Sequence, residues 1–146
     1  MNLVIGKNGL LGQELCIQLD AEKIPYLATG SQELDITDKA EVDTYFSLHQ
    51  PKVIYLCAGY TAVERAEQEE QHLAEQVNAF GTKNVAKAAE KIGATLLYVS
   101  TDYVFSGDLA LGEEWEVDDI PQPQTYYGYT KMLGENAVKK YITKFK

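Results

Sequence analysis

The stretch Leu3-Val4-Ile5-Gly6-Lys7-Asn8-Gly9-Leu10-Leu11-Gly12 joins an apolar run to an amphipathic one through a turn with glycines at its first, fourth and seventh positions. Leu3 to Ile5 reads as a short strand, and Leu10 to Leu19 as a helix. Strand, tight turn and helix in this order form the first half of a βαβ unit. Gly6 can make the sharp turn, Gly9 lets backbone approach a pyrophosphate, and Gly12 lets helix and strand pack closely. A pyrophosphate would lie on the helix N-terminus, so Gly6, Asn8, Gly9, Leu10, Leu11 and Gly12 are the expected phosphate-binding residues.

The pattern continues outward from this unit. Tyr26 to Ala28 is a second short strand, and Asp38 to His49 reads as a helix ended by Pro51. Val53 to Ala58 is nearly continuous in apolar residues, as a strand covered on both faces of a parallel sheet should be. Glu67 to Lys91 reads as one long helix stopped by Gly93, Leu96 to Ser100 as the next buried strand, and Tyr126 to Tyr141 as a last helix. Between these last two lies a Gly, Pro and acid-rich loop, Ser106 to Gln124, long enough to suggest a functional role. Alternation of this kind predicts an α/β fold: a Rossmann-type doubly wound parallel sheet with helices on both faces. Only about four or five strands are encoded, a small sheet for this class.

Length and charge bound the partners. A chain of 146 residues with 45% hydrophobic composition has room for one domain and a core. Its formal charge of −9, from 22 acidic and 13 basic residues, opposes nucleic acid or an anionic membrane as a partner. Cys16 and Cys57 lie far apart, outside any metal-ligand spacing, and are expected to be two buried free thiols. No segment approaches the roughly 18 apolar residues of a membrane span. A reducing cytoplasm and no metal are the expectations that follow.

The second strand ends in Thr29-Gly30-Ser31-Gln32. An acid at this point would face a ribose 2′-hydroxyl and an Arg a 2′-phosphate. Neither signal stands here, since Glu33 comes late and no Arg or Lys follows, although the Thr29 and Ser31 hydroxyls could face either ribose. Further on, Tyr127 and Lys131 are four residues apart and share one helix face. An ammonium near a phenol favours the phenolate and lowers its pKa from about 10, which would make Tyr127 a better proton donor to a carbonyl. The same lysine could hold ribose hydroxyls. Tyr126 and Tyr129 lack that spacing. Ser100-Thr101-Asp102-Tyr103-Val104-Phe105 falls where a buried strand ends, the end at which open α/β sheets bind ligands, and Thr101 is the hydroxyl expected to polarise a carbonyl there.

Taken together, Gly6 to Gly12, Leu34-Asp35-Ile36-Thr37-Asp38, Ala58-Gly59-Tyr60-Thr61-Ala62-Val63-Glu64, Val77-Asn78-Ala79, Ser100 to Phe105 and Tyr127 to Glu135 resemble the dTDP-4-dehydrorhamnose reductase family of the extended short-chain dehydrogenase/reductases. The resemblance implies reduction of the 4-keto group of a dTDP-6-deoxy-hexulose to dTDP-L-rhamnose, with NADP(H) as cofactor and NAD(H) sometimes accepted. It also implies the roles. Tyr127 would protonate the carbonyl oxygen, Lys131 would tune Tyr127 and bind ribose, and Thr101 would orient the carbonyl. Asp35 and Ile36 would border the adenine, and Ala58, Gly59 and Tyr60 the nicotinamide side. Val63, Glu64, Thr101, Asp102 and Tyr103 would face the nucleotide-sugar. Asn78 matches the superfamily's asparagine, and a helix asparagine bonding backbone accounts for it equally well.

Members of that family continue beyond the Tyr-x-x-x-Lys helix, whereas this sequence stops at Lys146. Residues 1–146 are therefore expected to be the NAD(P)-binding domain, truncated before the substrate-binding part. The strand Leu96 to Ser100 should then have an open edge inviting a homodimer or other self-association. Two alternatives share these motifs: a non-catalytic NADP-binding regulatory subunit similar to the methionine adenosyltransferase β subunit, and a nucleotide-sugar epimerase or dehydratase.

Overall fold

A computed structural model describes residues 1–146. Strands β1 (Asn2–Ile5), β2 (Tyr26–Thr29), β3 (Val53–Leu56) and β4 (Thr95–Tyr98) form one parallel sheet in the order β2-β1-β3-β4. Leu3 pairs with Leu27 on one side and Ile54 on the other, which puts the two most apolar strands at the centre. Leu3, Val4 and Ile5 are all but fully buried, as a strand covered on both faces requires.

The helices follow from capping and packing. Helix α1 (Leu10–Ala21) returns the chain from β1 to β2, and α2 (Lys39–His49) carries it over β1 to β3. These crossovers run in opposite directions along the sheet, so right-handed connection places α1 and α2 on opposite faces. Asp38 caps α2 by accepting from Ala40 N at 2.8 Å and Glu41 N at 3.1 Å, and left-handed Gln50 ends it before Pro51. Helices α2, α5 (Thr82–Ile92) and α6 (Tyr126–Tyr141) lie side by side. Val42, Phe46, Val85, Ala86, Ala89, Val138 and Ile142 close the core against Leu3, Ile5, Ile54, Leu56 and Leu96.

Three expectations change. The helix predicted over Glu67 to Lys91 starts later, at Gln71, and is not uniform: α4 (Gln71–Glu75) runs through a π turn at Gln76–Gly81 into α5, and a separate short α3 (Val63–Ala66) precedes it. Tertiary contacts override helix propensity there, because Asn78 is drawn inward to bond Tyr60 and Gly81 packs so closely on Ile36 that a Cβ would collide with its side chain. The edge of β4 is also not left open. Leu96 N donates to Lys144 O at 2.9 Å, Lys146 N to Leu96 O at 2.9 Å and Tyr98 N to Lys146 O at 3.0 Å, so the tail starts a parallel partner within the chain. Finally, Cys16 and Cys57 are free but only half-buried. No helix is long and apolar enough to cross a membrane, and no His, Cys, Asp or Glu group is arranged to hold a metal ion.

Candidate active site

The order β2-β1-β3-β4 makes chain connections leave β1 and β3 toward opposite edges, so a crevice opens beyond their C-terminal ends. The glycine turn floors it. Gly6 has a φ of 97°, and a Cβ on it would strike the Ala58 backbone. Gly6 N and Lys7 N donate to Thr29 O at 2.8 and 3.0 Å, which ties the turn to the end of β2. Gly12 sits on the Gly6 carbonyl with no room for a side chain. Gly9 is different: its φ is −79°, and a Cβ there would meet only Gly6 O at 3.5 Å. Its lack of a side chain therefore serves the space beyond it and not the fold.

That space is a cleft of about 340 Å³ lined by Gly6, Asn8 and Gly9, by Asp35 and Ile36, and by Ala58, Gly59 and Tyr60 among others. Three sequence-predicted groups from separate crossovers thus meet at one cavity. Leu10 and Leu11 are exposed and Gly12 is buried, and none lines the cleft. What they offer is backbone: Gln13 N bonds Gly9 O, while the N–H groups of Leu10, Leu11 and Gly12 take no partner in the fold. Asp35 accepts from Thr37 N and Thr37 Oγ1, each at 2.8 Å, so its carboxylate is partly engaged locally. Ile36 is buried and closes the wall behind it.

The second part of the candidate site stands at the end of β4. Thr101 caps a 3₁₀ turn, Asp102–Val104, by accepting from Tyr103 N at 3.3 Å, and its hydroxyl is directed to Asp102 Oδ1 at 3.2 Å. Helix α6, capped by Thr125, packs onto this turn, and the backbone of Tyr103 lies where a Cβ of Gly128 would be. The rings of Tyr127 and Tyr103 meet edge to face with centroids 5.6 Å apart. Burial pushes the Tyr127 phenol above its ordinary pKa, the adjacent Thr101 hydroxyl pulls it down, and Tyr103 and Asp102 push it up again.

Lys131 departs from the sequence expectation that its ammonium sits on the Tyr127 phenol. It is 6% exposed. Its Nζ donates to Val99 O at 2.6 Å and lies 4.3 Å from the centroid of the Tyr98 ring. Burial brings its pKa down to about 8, against an upward pull from Glu135. The cause of the departure is solvation: a buried ammonium needs an acceptor, and the strand-end carbonyl is a better one than a neutral phenol. Shared helix face did not determine where the ammonium goes.

Asn78 connects the two parts. Its side chain accepts from Tyr60 N at 2.8 Å, donates to Tyr60 O at 3.0 Å, and donates to Thr130 Oγ1 at 3.1 Å. Thr130 in turn donates to Tyr127 O at 2.8 Å. The cleft wall at Tyr60 and the first turn of α6 are thereby fixed to each other through one buried amide. Both accounts of Asn78 thus meet: it bonds backbone, and the backbone it bonds belongs to the cleft. Of the residues expected to face a sugar, Asp102 and Thr101 line a further cavity of about 550 Å³ with Phe105 and Trp115, whose rings stack at 4.8 Å. Tyr103 is exposed beside it, whereas Val63 and Glu64 begin α3 and line neither cavity.

Sequence reading missed an acid and a cation at the end of β2. Glu33 folds back so that its Oε2 accepts from Gly30 N at 2.8 Å, and Lys7, from the glycine turn, pairs with its Oε1 at 2.6 Å. Lys7, ahead of the Gly30 N–H, holds the Glu33 carboxyl below the usual carboxylate range. Both signals judged missing at this strand end are present through space.

Fold, switch-point cleft and glycine turn define a Rossmann-type nucleotide-binding domain. More narrowly, the chain belongs to the RmlD substrate binding domain family, whose sequence profile matches residues 1–146. It is 44% identical over 136 residues to the dTDP-4-dehydrorhamnose reductase of Streptomyces griseus, covering 93% of this chain and 44% of that protein. It is 34% identical over 143 residues to methionine adenosyltransferase 2 subunit beta of Xenopus laevis, covering 93% of this chain and 42% of that one. The crystal structure of Bacillus anthracis dTDP-4-dehydrorhamnose reductase in complex with NADP superposes with a TM-score of 0.93 at 38% identity, over 99% of this chain and 50% of that one. This chain spans about half the length of the relatives it matches.

Proposed function

We propose that residues 1–146 are the cofactor-binding domain of an NADP(H)-dependent oxidoreductase that reduces the 4-keto group of a dTDP-6-deoxy-hexulose, and that NAD(H) is also accepted. One observation carries this reading: the glycine turn, Asp35–Ile36 and Ala58–Tyr60 converge on a single cleft at the switch point, with Gly9 open toward it. The names of the Streptomyces and Bacillus relatives, and the NADP in the latter's structure, supply the chemistry.

The residues present fit a dinucleotide. Free N–H groups at the start of α1 suit a pyrophosphate, Ile36 and Asp35 offer an apolar wall and an acceptor for an adenosine, and Ala58 to Tyr60 suit a flat ring. A reduced nicotinamide held there would supply the hydride for the carbonyl carbon. Tyr127 gives its phenolic proton to the carbonyl oxygen as the alkoxide forms. Burial keeps that proton in place at neutral pH, and the Thr101 hydroxyl donates to the same oxygen and offsets part of the burial effect. Lys131, one turn on from Tyr127, gives the site its positive charge, and the ammonium protons not donated to Val99 O would hold ribose hydroxyls. Asp102 and Tyr103 face the sugar beside Thr101. The surrounding compartment is the cytoplasm.

A second copy completes the picture on the β4 side. The tail turns Lys144 and Lys146 toward β4, leaving the Phe145 N–H and C=O outward beside an exposed ring. Self-association occurs along that edge. Light scattering over a concentration series tests it, and a concentration-independent monomer would remove it.

The reductase reading is tested by NADPH oxidation in the presence of a dTDP-4-keto-6-deoxy sugar, using the native gene product that contains this chain. Steady turnover, lost in Tyr127→Phe, is the expected result. One observation favours a second reading, a cofactor-binding regulatory subunit: Lys131 is engaged by Val99 O and not by Tyr127. Tight binding of a protein partner with no turnover would select it.

A further inference from the structure

Lys7 and Glu33 are 26 residues apart and belong to different crossovers, yet the fold pairs them at 2.6 Å. Three features place the pair just outside the cleft, against residues that line it. Glu33 is anchored by Gly30 N, Gly30 packs against the Asn8 amide, and Asn8, Gly30 and Ser31 all line the cleft. The two side chains remain 32% and 47% exposed, so a ligand can reach them. At this strand end an acid suits ribose hydroxyls and a cation suits a phosphate ester on the same ribose. Here one of each is present, and each satisfies the other.

We propose that Lys7 and Glu33 are the pair that discriminates between cofactors at the adenosine ribose. Toward a dinucleotide with a free 2′-hydroxyl, Glu33 accepts that hydroxyl while Lys7 stays on the carboxylate. Toward a 2′-phosphorylated dinucleotide, Lys7 leaves Glu33 for the phosphate. The inference rests on the proposed dinucleotide reading of the cleft and adds the specificity determinant to it.

Physical chemistry favours the exchange. An exposed ion pair is weak, so little is lost when Lys7 changes partner. A phosphate monoester carries about two negative charges near neutral pH and offers three acceptor oxygens, against one charge on Glu33. Without Lys7 the same phosphate would approach an uncompensated carboxylate in a chain of net charge −9. Gly30 N continues to hold Glu33 after Lys7 leaves, so the acid is not stranded.

The test is fluorescence titration of NADPH and NADH into the 146-residue chain at one fixed, low ionic strength, for wild type, Lys7→Met and Glu33→Gln. A thermal melt of each variant checks that it keeps the wild-type fold. Lys7→Met should weaken NADPH by about tenfold or more and NADH by no more than about threefold. Glu33→Gln should do the reverse, weakening NADH while leaving NADPH equal or tighter. Raising the salt should erode NADPH affinity more steeply in wild type than in the Lys7→Met variant. Equal changes for both cofactors in either variant, or none, would overturn the pair as discriminator while the cleft stands. A wild-type chain that binds neither dinucleotide would overturn the cleft reading itself, and the pair with it.

Discussion

Replacing Gly9 by valine separates binding from folding at one position. The φ and ψ of Gly9, −79° and 162°, are extended values open to any L-residue, and its nearest obstacle to a Cβ is Gly6 O at 3.5 Å. Valine therefore fits the chain, at a cost of about 1 kcal/mol for a poorer helix N-cap. What it takes is the wall of the cleft that lies next to the free N–H groups of Leu10, Leu11 and Gly12. A hydrogen bond from such an N–H to a charged phosphate oxygen is worth about 1.5–3 kcal/mol. Losing one of them weakens a dinucleotide by about tenfold to a hundredfold. Gly12→Ala is the contrasting case, because its Cβ would strike the Gly6 carbonyl and disturb the fold as well. Fluorescence titration with NADPH and NADH, alongside a thermal melt of each variant, reads both quantities. Unchanged affinity in a folded Gly9→Val chain would refute the assignment of the glycine turn to the pyrophosphate.

Three further outcomes follow from the same geometry. In the native gene product Tyr127→Phe should lower kcat by about 10²-fold with cofactor affinity nearly unchanged, and Tyr129→Phe, at a ring that is 41% exposed, should be far milder. Equal effects of the two would remove Tyr127 as proton donor. Asn78→Ala leaves the Tyr60 N–H and C=O without their partner and removes the donor to the Thr130 hydroxyl, which keeps its bond to Tyr127 O, and should cost about 2–4 kcal/mol in urea denaturation. A loss below about 0.5 kcal/mol would show that the amide does not tie cleft to helix. The buried Lys131 ammonium has its pKa lowered to about 8, against about 10.4 when unfolded. Between those values the unfolded chain holds a proton that the fold has released, so this group makes stability rise with pH, by about 3 kcal/mol across the window. Below about pH 8 both states carry the charge and the contribution is flat. Lys131→Met should lack the rise. Parallel stability curves for the two from pH 8 to 10 would contradict it.

The sheet was legible because Leu3 to Ile5, Val53 to Leu56 and the run from Thr95 are apolar enough to be strands and nothing else. Their order, β2-β1-β3-β4, was not legible, because right-handed crossovers fix the face on which each helix lies and not the side on which the next strand pairs. The glycine turn was legible for a local reason: Gly6 and Gly12 have no space for a side chain, and that need shows in the residue itself. What failed to show was set through space. The π turn exists because Asn78 and Gly81 answer to Tyr60 and Ile36, which pattern along one helix does not contain. Spacing put Tyr127 and Lys131 on one face but could not foresee Val99 O as the acceptor for the ammonium. The Lys7–Glu33 pair was invisible for the same reason, since a search confined to the residues after β2 overlooks a cation supplied by the turn after β1. The partner of β4 within residues 144–146 is only a short polar and aromatic tail in sequence, and it becomes strand-like only against Leu96.

Calorimetric titration of NADPH into the wild-type 146-residue chain shows whether the switch-point cleft holds a dinucleotide. The cleft at the ends of β1 and β3, with its free N–H groups and its Lys7, predicts saturable binding at a single site per chain, abolished or greatly weakened by Gly9→Val. A flat isotherm for a chain that melts cooperatively, or binding that Gly9→Val leaves intact, would contradict it.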